Sequence, residues 1–327
     1  MRAWRRTTYG GPEVLRLVDV PDPVPGPGEV RVRVHAASAN RADIDYLTGT
    51  PFITKLGTGL RRPRHEGLGL DAAGIVDSVG EGVTAFAPGD RVFGNLTLFG
   101  YGAFAEVACA PERAWARVPH DISLEVAATL PESGVLALQG LRGGEAIRPG
   151  SRVLVNGAAG NVGPFVVQLA KAFGAEVTAV ATGAGLDLVQ TLGADHVVDF
   201  MREDYARRPE RYDWIVDMWA TRSVLASRRA LRPRGRYVMI GGPTGRILEA
   251  LVVGSVASAA GSRKAGLMLW WKPFDPALVA TLLRLVEEGR LGPAIGARHP
   301  LEGVPDALRA VHTGAAVGKQ LIEVVPG

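Results

Sequence analysis

The alternation of apolar and polar positions changes character a little over a third of the way along the chain. Up to about residue 123 the apolar residues recur in short runs of period two. Val30-Arg-Val-Arg-Val34 alternates valine with arginine, as a strand does with one face in a core and one in water. Residues 14–20, 72–79, 91–94 and 102–109 read as further short strands. Prolines 21, 23, 25 and 27 and the turns Gly80-Glu-Gly82 and Pro88-Gly-Asp90 separate them. Many short strands punctuated in this way predict a β-barrel or sandwich.

Over residues 124–142 the period becomes helical, and from there strands alternate with helices. Val153-Leu-Val155 is a buried strand, and Pro164 opens an amphipathic helix that Gly174 stops. Strands follow at Glu176–Ala181, His196–Asp199, 214–218 and 236–240, with helices near 186–192 and ending near 231. The apolar run Leu267-Met-Leu-Trp-Trp271 is expected to be the last strand of this series. The pattern predicts a doubly wound parallel sheet. A helix over 276–288 and a strand over 320–324 are expected to return to the first domain. The fold class is therefore α/β in two domains, 1–123 with 275–327 returning to it, and 124–274.

Between the first strand and first helix of the sheet lie Gly157, Gly160 and Gly163. A strand, a glycine turn and a helix N-terminus suit a pyrophosphate, because backbone N–H groups face the phosphates and no side chain blocks the approach. Gly160, Asn161 and Val162 should meet the pyrophosphate, while Gly157 and Gly163 shape the turn. Dinucleotide enzymes specific for NAD end the second strand in an acid that binds the ribose diol. Here the strand ends Ala181-Thr-Gly-Ala-Gly185, with no acid before Asp187. The missing carboxylate and the Thr182 hydroxyl favour NADPH, with NADH as the alternative. Asp217 and Ile240-Gly241-Gly242 end later strands at the carboxyl edge and are expected to line the adenosine and nicotinamide pockets, although simple turn glycines would read alike.

Composition narrows the partners. Of 327 residues 47% are hydrophobic and 21% charged, a globular profile with net charge +4. The arginines are scattered and not interleaved with aromatics, so no nucleic-acid partner is expected. Cys109 is the sole cysteine, which rules out an internal disulfide and a multi-cysteine zinc lobe. No apolar leader opens the chain, and residues 250–261, small and apolar, are too short to span a bilayer. That run could be a hydrophobic lip, a dimer contact, a weak membrane contact or plain packing. No stable membrane insertion and a cytoplasmic location are expected.

The order of motifs resembles the zinc-independent quinone oxidoreductase, or zeta-crystallin-like, branch of the medium-chain dehydrogenase/reductase superfamily. The resemblance rests on Tyr9-Gly-Gly-Pro-Glu-Val-Leu15, Pro25-Gly-Pro-Gly-Glu-Val30, Asn40-Arg-Ala-Asp43 with Gly49, and Leu68-Gly-Leu-Asp-Ala-Ala-Gly74. It extends through Pro88-Gly-Asp-Arg-Val92, Gly102-Ala-Phe-Ala-Glu106, the glycine turn, Leu192-Gly-Ala-Asp195 and Gly318-Lys319. It implies a GroES-like β-barrel domain, a Rossmann domain, NADPH in the cleft between them, a homodimer, and hydride transfer to quinones or α,β-unsaturated carbonyls. Zinc-using relatives place a cysteine at Asn40 and His-Glu at Leu70-Asp71, so two ligand positions are lost and no zinc is expected.

The resemblance also points to catalytic candidates. Asn40 corresponds to an amide near the nicotinamide ribose and substrate, or it caps a helix starting near Ala42. Arg41 could donate to the substrate oxygen or be a solvated helix-start arginine. Tyr46 is the candidate proton donor, one residue later than the aromatic common in the family. The reading is an NADPH-dependent, metal-free reductase of a small quinone or enone. The alternatives are an enoyl reductase or tailoring oxidoreductase of a biosynthetic pathway, and a non-catalytic cofactor-binding protein of the crystallin or RNA-binding kind.

Overall fold

The computed structural model describes residues 1–142, 146–207, 211–259 and 261–324. The strands among them are β1 Arg2–Arg5, β2 Arg16–Asp19, β3 Glu29–Ala39, β4 Asp71–Val79, β5 Arg91–Asn95, β6 Val107–Pro111, β7 Trp115–Arg117, β8 Arg152–Asn156, β9 Glu176–Ala181, β10 His196–Asp199, β11 Tyr212–Asp217, β12 Leu231–Met239, β13 Lys264–Leu267, β14 Ile295–Pro300 and β15 Lys319–Glu323. The chain divides into two compact units: Met1–Val135 with Pro273–Glu287 and residues from Pro293 onward, and Leu136–Lys272 with Glu288–Gly292.

The first unit is built on β3. Val30, Val32 and Val34 are fully buried, as their alternation with arginine requires. The start of β3 pairs antiparallel with β6, its last four residues with β15, and its other edge with β4. Two register shifts against β4 bend it, so one strand serves three neighbours. The sheet runs β14-β15-β3-β4-β5-β7 with β6 on β3, and Trp4, Leu68, Phe104, Leu301 and Ile322 fill the core it wraps. The strand expected over 102–109 begins only at Val107. Gly102 takes a left-handed φ of 114°, and Ala105 makes a single bridge to Ala3.

This unit runs on to Val135 rather than closing near 123. Helix Leu124–Ala128, capped by the Ser123 hydroxyl, is followed by a π-helical turn, Leu130–Gly134. Pro131 has no N–H to donate there, and the wider turn buries Glu132 and Ser133. Residues 325–327 of the expected returning segment lie outside the described residues.

The second unit is a six-stranded parallel sheet in the order β10-β9-β8-β11-β12-β13. Counted within the unit this is 3-2-1-4-5-6, with the reversal between β8 and β11, as in Rossmann sheets. The last strand is β13, Lys264–Leu267, and not the more apolar 267–271. After the Met268 N–H bonds the Met239 carbonyl at 2.9 Å the chain leaves the sheet, and Leu269 is 72% exposed. Residues 244–259 form a helix with a π turn at Ala250–Gly254. A Cβ on Gly254 would sit 2.8 Å from the Ala265 carbonyl, so glycine permits the helix to lie close on β13. Leu248, Val252 and Val256, four apart, form an exposed stripe on it. Ala260, in the small-residue run, lies outside the described residues. No helix among the described residues is long and apolar enough to cross a membrane.

Candidate active site

Chemistry-bearing groups gather at one place in each unit. In the second it is the carboxyl edge of the sheet at β8 and β11, between which the strand order reverses. Gly157 has φ 80°, and a Cβ on Gly163 would lie 2.3 Å from the Gly157 carbonyl and 2.5 Å from Ala158 Cα. The turn is thus closed against its own backbone. Around Gly160 a Cβ would meet only the Gly157 carbonyl, at 3.6 Å, so that side is open. Asn161 and Val162 complete the turn, and helix Gly163–Ala172 starts directly behind it with the positive end of its dipole toward the turn.

Asp217 behaves differently from expectation. Its side chain is fully buried and faces inward. Oδ1 accepts from Asn156 Nδ2 at 2.8 Å and from the N–H groups of Trp219 at 3.0 Å and Ala220 at 2.7 Å, and Oδ2 accepts from the Tyr237 hydroxyl at 3.0 Å. Burial pushes its pKa up, and the four donors oppose that. The carboxylate braces the loop after β11, and its complete burial keeps it from a ligand. Ile240 donates its N–H to the Asp217 carbonyl at 2.8 Å. Gly241 and Gly242 stand against the same loop, where a Cβ on Gly242 would meet Ala220 Cβ at 2.6 Å.

At the end of β9 Thr182 is exposed, and the first acid beyond it, Asp187, lies in helix Gly185–Thr191. Beyond β10, Arg202 is 86% exposed, with its guanidinium 3.5 Å from Asp199. Sequence reasoning did not single out Arg202, because only the parallel pairing of β10 with β9 sets Asp199, its ion-pair partner, beside Ala181 at the β9 end.

In the first unit a polar cluster is buried at the end of β3. Asn40 caps helix Arg41–Thr48, with its N–H donating to Asp43 Oδ2 at 2.8 Å. Its amide nitrogen donates to the Ser38 carbonyl at 3.1 Å and to Asp71 Oδ2 at 3.0 Å. Its amide oxygen accepts from Lys319 Nζ at 2.6 Å and Ser133 Oγ at 3.3 Å. Every hydrogen-bonding position of this amide is taken. Asn40 therefore positions its neighbours and does not reach out to a substrate.

Around it stand three buried acids and one lysine. Asp71 accepts from Ser38 Oγ at 3.3 Å, Asn40 Nδ2, Asn95 Nδ2 at 2.9 Å and the Glu132 N–H at 3.2 Å. Glu132 Oε2 accepts from Asn95 Nδ2 at 3.2 Å. Lys319 Nζ also donates to Ser133 Oγ at 3.1 Å. Asp43 Oδ1 is buried without a partner. Burial pushes Asp43 up to about 8, and burial together with the neighbouring Asp71 and Asp43 pushes Glu132 up to about 8. Burial drives Asp71 up and Lys319 down, and each pulls the other back.

The other two catalytic candidates lie outside this cluster's hydrogen bonds. Arg41 is on the solvent face, paired at 3.2 Å with Asp45, as a helix-start arginine would be. Tyr46 is half-buried, its ring centroid 5.0 Å from that of Tyr101. Burial, then Tyr101 and Glu132, raise its phenol above the ordinary range and make it a weaker acid. Glu132, Ser133, Asn95 and Lys319 were not among the candidates. The available signals were an acid inside the apolar stretch Thr129-Leu-Pro-Glu-Ser-Gly-Val135 and one of only five lysines opening an apolar strand.

The chain matches the family model of the Alcohol dehydrogenase GroES-like domain over residues 26–120 and that of the Zinc-binding dehydrogenase over residues 192–322. It is 30% identical over 332 residues to the human Quinone oxidoreductase, covering 98% of this chain and 97% of that protein. The chain belongs to the quinone oxidoreductase family. That family, within the medium-chain dehydrogenase/reductase superfamily, is one of NAD(P)H-dependent oxidoreductases. A second relative, the 2-methylene-furan-3-one reductase of Solanum lycopersicum, is 32% identical over 343 residues, covering 100% of this chain and 80% of that protein. The crystal structure of Escherichia coli quinone oxidoreductase complexed with NADPH aligns with TM-score 0.85 and 25% identity, over 99% of this chain and 100% of that one.

Zinc appears in the name of one family model, but the first unit's cluster does not offer what a catalytic zinc needs, three protein ligands and an open position. The Asn40 amide is spent, Leu70 is apolar and buried, and an ammonium already faces the acids. Among the described residues no group of three or more His, Cys, Asp or Glu side chains is placed to hold a metal ion.

Proposed function

We propose that this oxidoreductase uses NADPH and no metal to reduce a small quinone or α,β-unsaturated carbonyl. The observation that carries the reading is the glycine turn at the strand-order reversal, closed behind at Gly163 and open in front at Gly160. Gly157, Gly160, Asn161, Val162 and Gly163 would hold the pyrophosphate against the helix N-terminus. Thr182 and Arg202 would donate to a 2′-phosphate beside the end of β9, which carries no acid of its own before Asp187. The backbone of Ile240, Gly241 and Gly242 would line the nicotinamide side. NADPH bound there supplies the hydride. The second unit is thus the dinucleotide-binding domain and the first the catalytic one. In the first, the Tyr46 hydroxyl would donate a hydrogen bond to the acceptor oxygen as charge develops on it.

The names of the human and tomato relatives support both acceptor classes, and the Escherichia coli structure supports the cofactor. Among the described residues β13 pairs with β12 alone, and its other edge, together with exposed Leu248, Val252 and Val256, favours a homodimer in which a second copy covers that edge. The deciding experiment titrates NADPH and NADH into the full chain by calorimetry and follows NADPH oxidation with 1,4-benzoquinone and 2-cyclohexenone. NADPH should bind at least about tenfold tighter, a preference worth one charge-assisted hydrogen bond. Thr182→Val with Arg202→Ala should abolish it. Equal affinities would remove the NADPH assignment, and no oxidation with either acceptor would remove the reaction.

A further inference from the structure

We propose that Glu132 is the acid that protonates the reduced acceptor, a role resting on the reductase reading above. The buried cluster holds more acids than cations. Asp43, Asp71 and Glu132 are three acids against the single ammonium of Lys319. Asp71, with four donors, is the best solvated as an anion and balances Lys319. The other buried cation nearby, the Arg6 guanidinium, interacts with Asp43, so it is an anion at Glu132 that would be uncompensated, at a cost of several kcal/mol; Glu132 keeps its proton, and burial pushes Asp43 up to about 8 as well.

Of these two neutral acids only one is available. Asp43 is fully buried, with 0% of its surface exposed, and its Oδ2 takes the Asn40 N–H. Glu132 is 6% exposed, with Oε2 held by Asn95. No group among the described residues donates to its Oε1. The π-helical turn sets it there, one residue from the Ser133 that touches Asn40. Tyr46, the other acid nearby, is weakened by burial.

The step balances without a further reactant. Once the β-carbon of an enone has taken a hydride, the α-carbon carries the electron pair. A C–H bond forms there as the Glu132 O–H bond breaks, and the carboxylate recovers a proton from water. A quinone differs, because its reduced oxygen is a phenolate that water itself protonates. Glu132 therefore matters more for enones, and the groups that face it are Asp71, Asp43, Lys319 and Tyr46.

The test compares wild type with Glu132→Gln and Glu132→Asp in the full chain. Glu132→Gln should lower kcat for 2-cyclohexenone about 100-fold, the usual worth of a positioned acid, with a smaller loss for 1,4-benzoquinone. Wild-type enone turnover should fall as pH rises through about 8, and that limb should vanish in Glu132→Gln. Glu132→Asp should restore part of the rate. In the protein without ligand, the infrared carbonyl band of a protonated carboxylic acid near neutral pH should weaken in Glu132→Gln. A folded Glu132→Gln with unchanged enone kcat overturns the proposal, as does an unchanged infrared band. Should both variants fail to fold, wild-type enone turnover that stays flat through pH 8 overturns it as well. Failure of the reductase reading looks different, since wild type then oxidises NADPH with neither acceptor.

Discussion

Replacing Lys319 by methionine isolates the charge balance of the buried cluster from its packing. The two side chains have similar length and volume, so little is lost by way of a cavity. What disappears is an ammonium, 1% exposed as a residue, that donates to Asn40 Oδ1 at 2.6 Å and Ser133 Oγ at 3.1 Å and faces three acids. Removing one member of a buried charge pair costs about 3–5 kcal/mol. Asp71 keeps all four of its donors, which places the electrostatic loss at the low end, about 3 kcal/mol. The unmatched Asn40 oxygen adds about 1 kcal/mol, for a total near 4 kcal/mol. In a domain of this size that lowers Tm by roughly 8–16 °C.

Urea unfolding of the full chain, followed by circular dichroism, would measure the loss. The double variant Lys319→Met with Asp71→Asn removes both charges and should regain at least half of it, a coupling of about 2 kcal/mol in a double-mutant cycle. Added salt should change neither value much, because buried pairs are poorly screened. A Lys319→Met chain within about 1 kcal/mol of wild type would refute the reasoning. So would a double variant whose loss equals the sum of the single ones.

Three further outcomes follow from other parts of the structure. Asp43, pushed up to about 8, binds a proton in the folded chain that the unfolded chain releases above pH about 4. Its contribution to stability is therefore full below pH 4, declines by at most about 1.4 kcal/mol per pH unit up to about 8 and is flat above; Asp43→Asn should make the measured slope shallower, and an unchanged slope would contradict the assignment. Gly163→Ala forces a methyl against backbone and should lower both stability and NADPH affinity, whereas Gly160→Ala should leave the melt unchanged and weaken NADPH alone, as calorimetry would show. Val252→Asp puts a charge in the middle of the exposed stripe, and light scattering should find monomers if a second copy covers it.

Where side chains alternate or recur with a clear period, the architecture could be read before the structure. β8, β9, β10 and β11 lie within two residues of where their apolar runs placed them, and the parallel direction of the sheet follows from strands alternating with helices. The apolar run Leu267-Met-Leu-Trp-Trp271 carries the stronger signal, yet the sheet pairing of the last strand lies just before it, over Lys264–Leu267, against the helix that Gly254 lets come close. Local sequence identified Asn40 but could not show its amide saturated, since its partners come from residues 71, 133 and 319. Glu132 went unnoticed for a related reason. An acid in an apolar helix reads as an exception until the partners that hold it neutral are in view. For Asp217 the error was directional, because position at a strand end does not say which way a carboxylate faces.

The seat of β15 between β14 and β3 sets a timetable for synthesis. Asp43, Asp71 and Glu132 leave the ribosome long before Lys319, the gap from 132 to 319 being 187 residues. At roughly 5–20 residues per second that is about 10–40 s. Within that interval the strands β8 to β13, contiguous from 152 to 267, are all present and free to assemble. The first unit meanwhile holds an acidic pocket without the Lys319 ammonium, and the last four residues of β3 lack their partner strand. One five-residue strand, β15, then delivers both together.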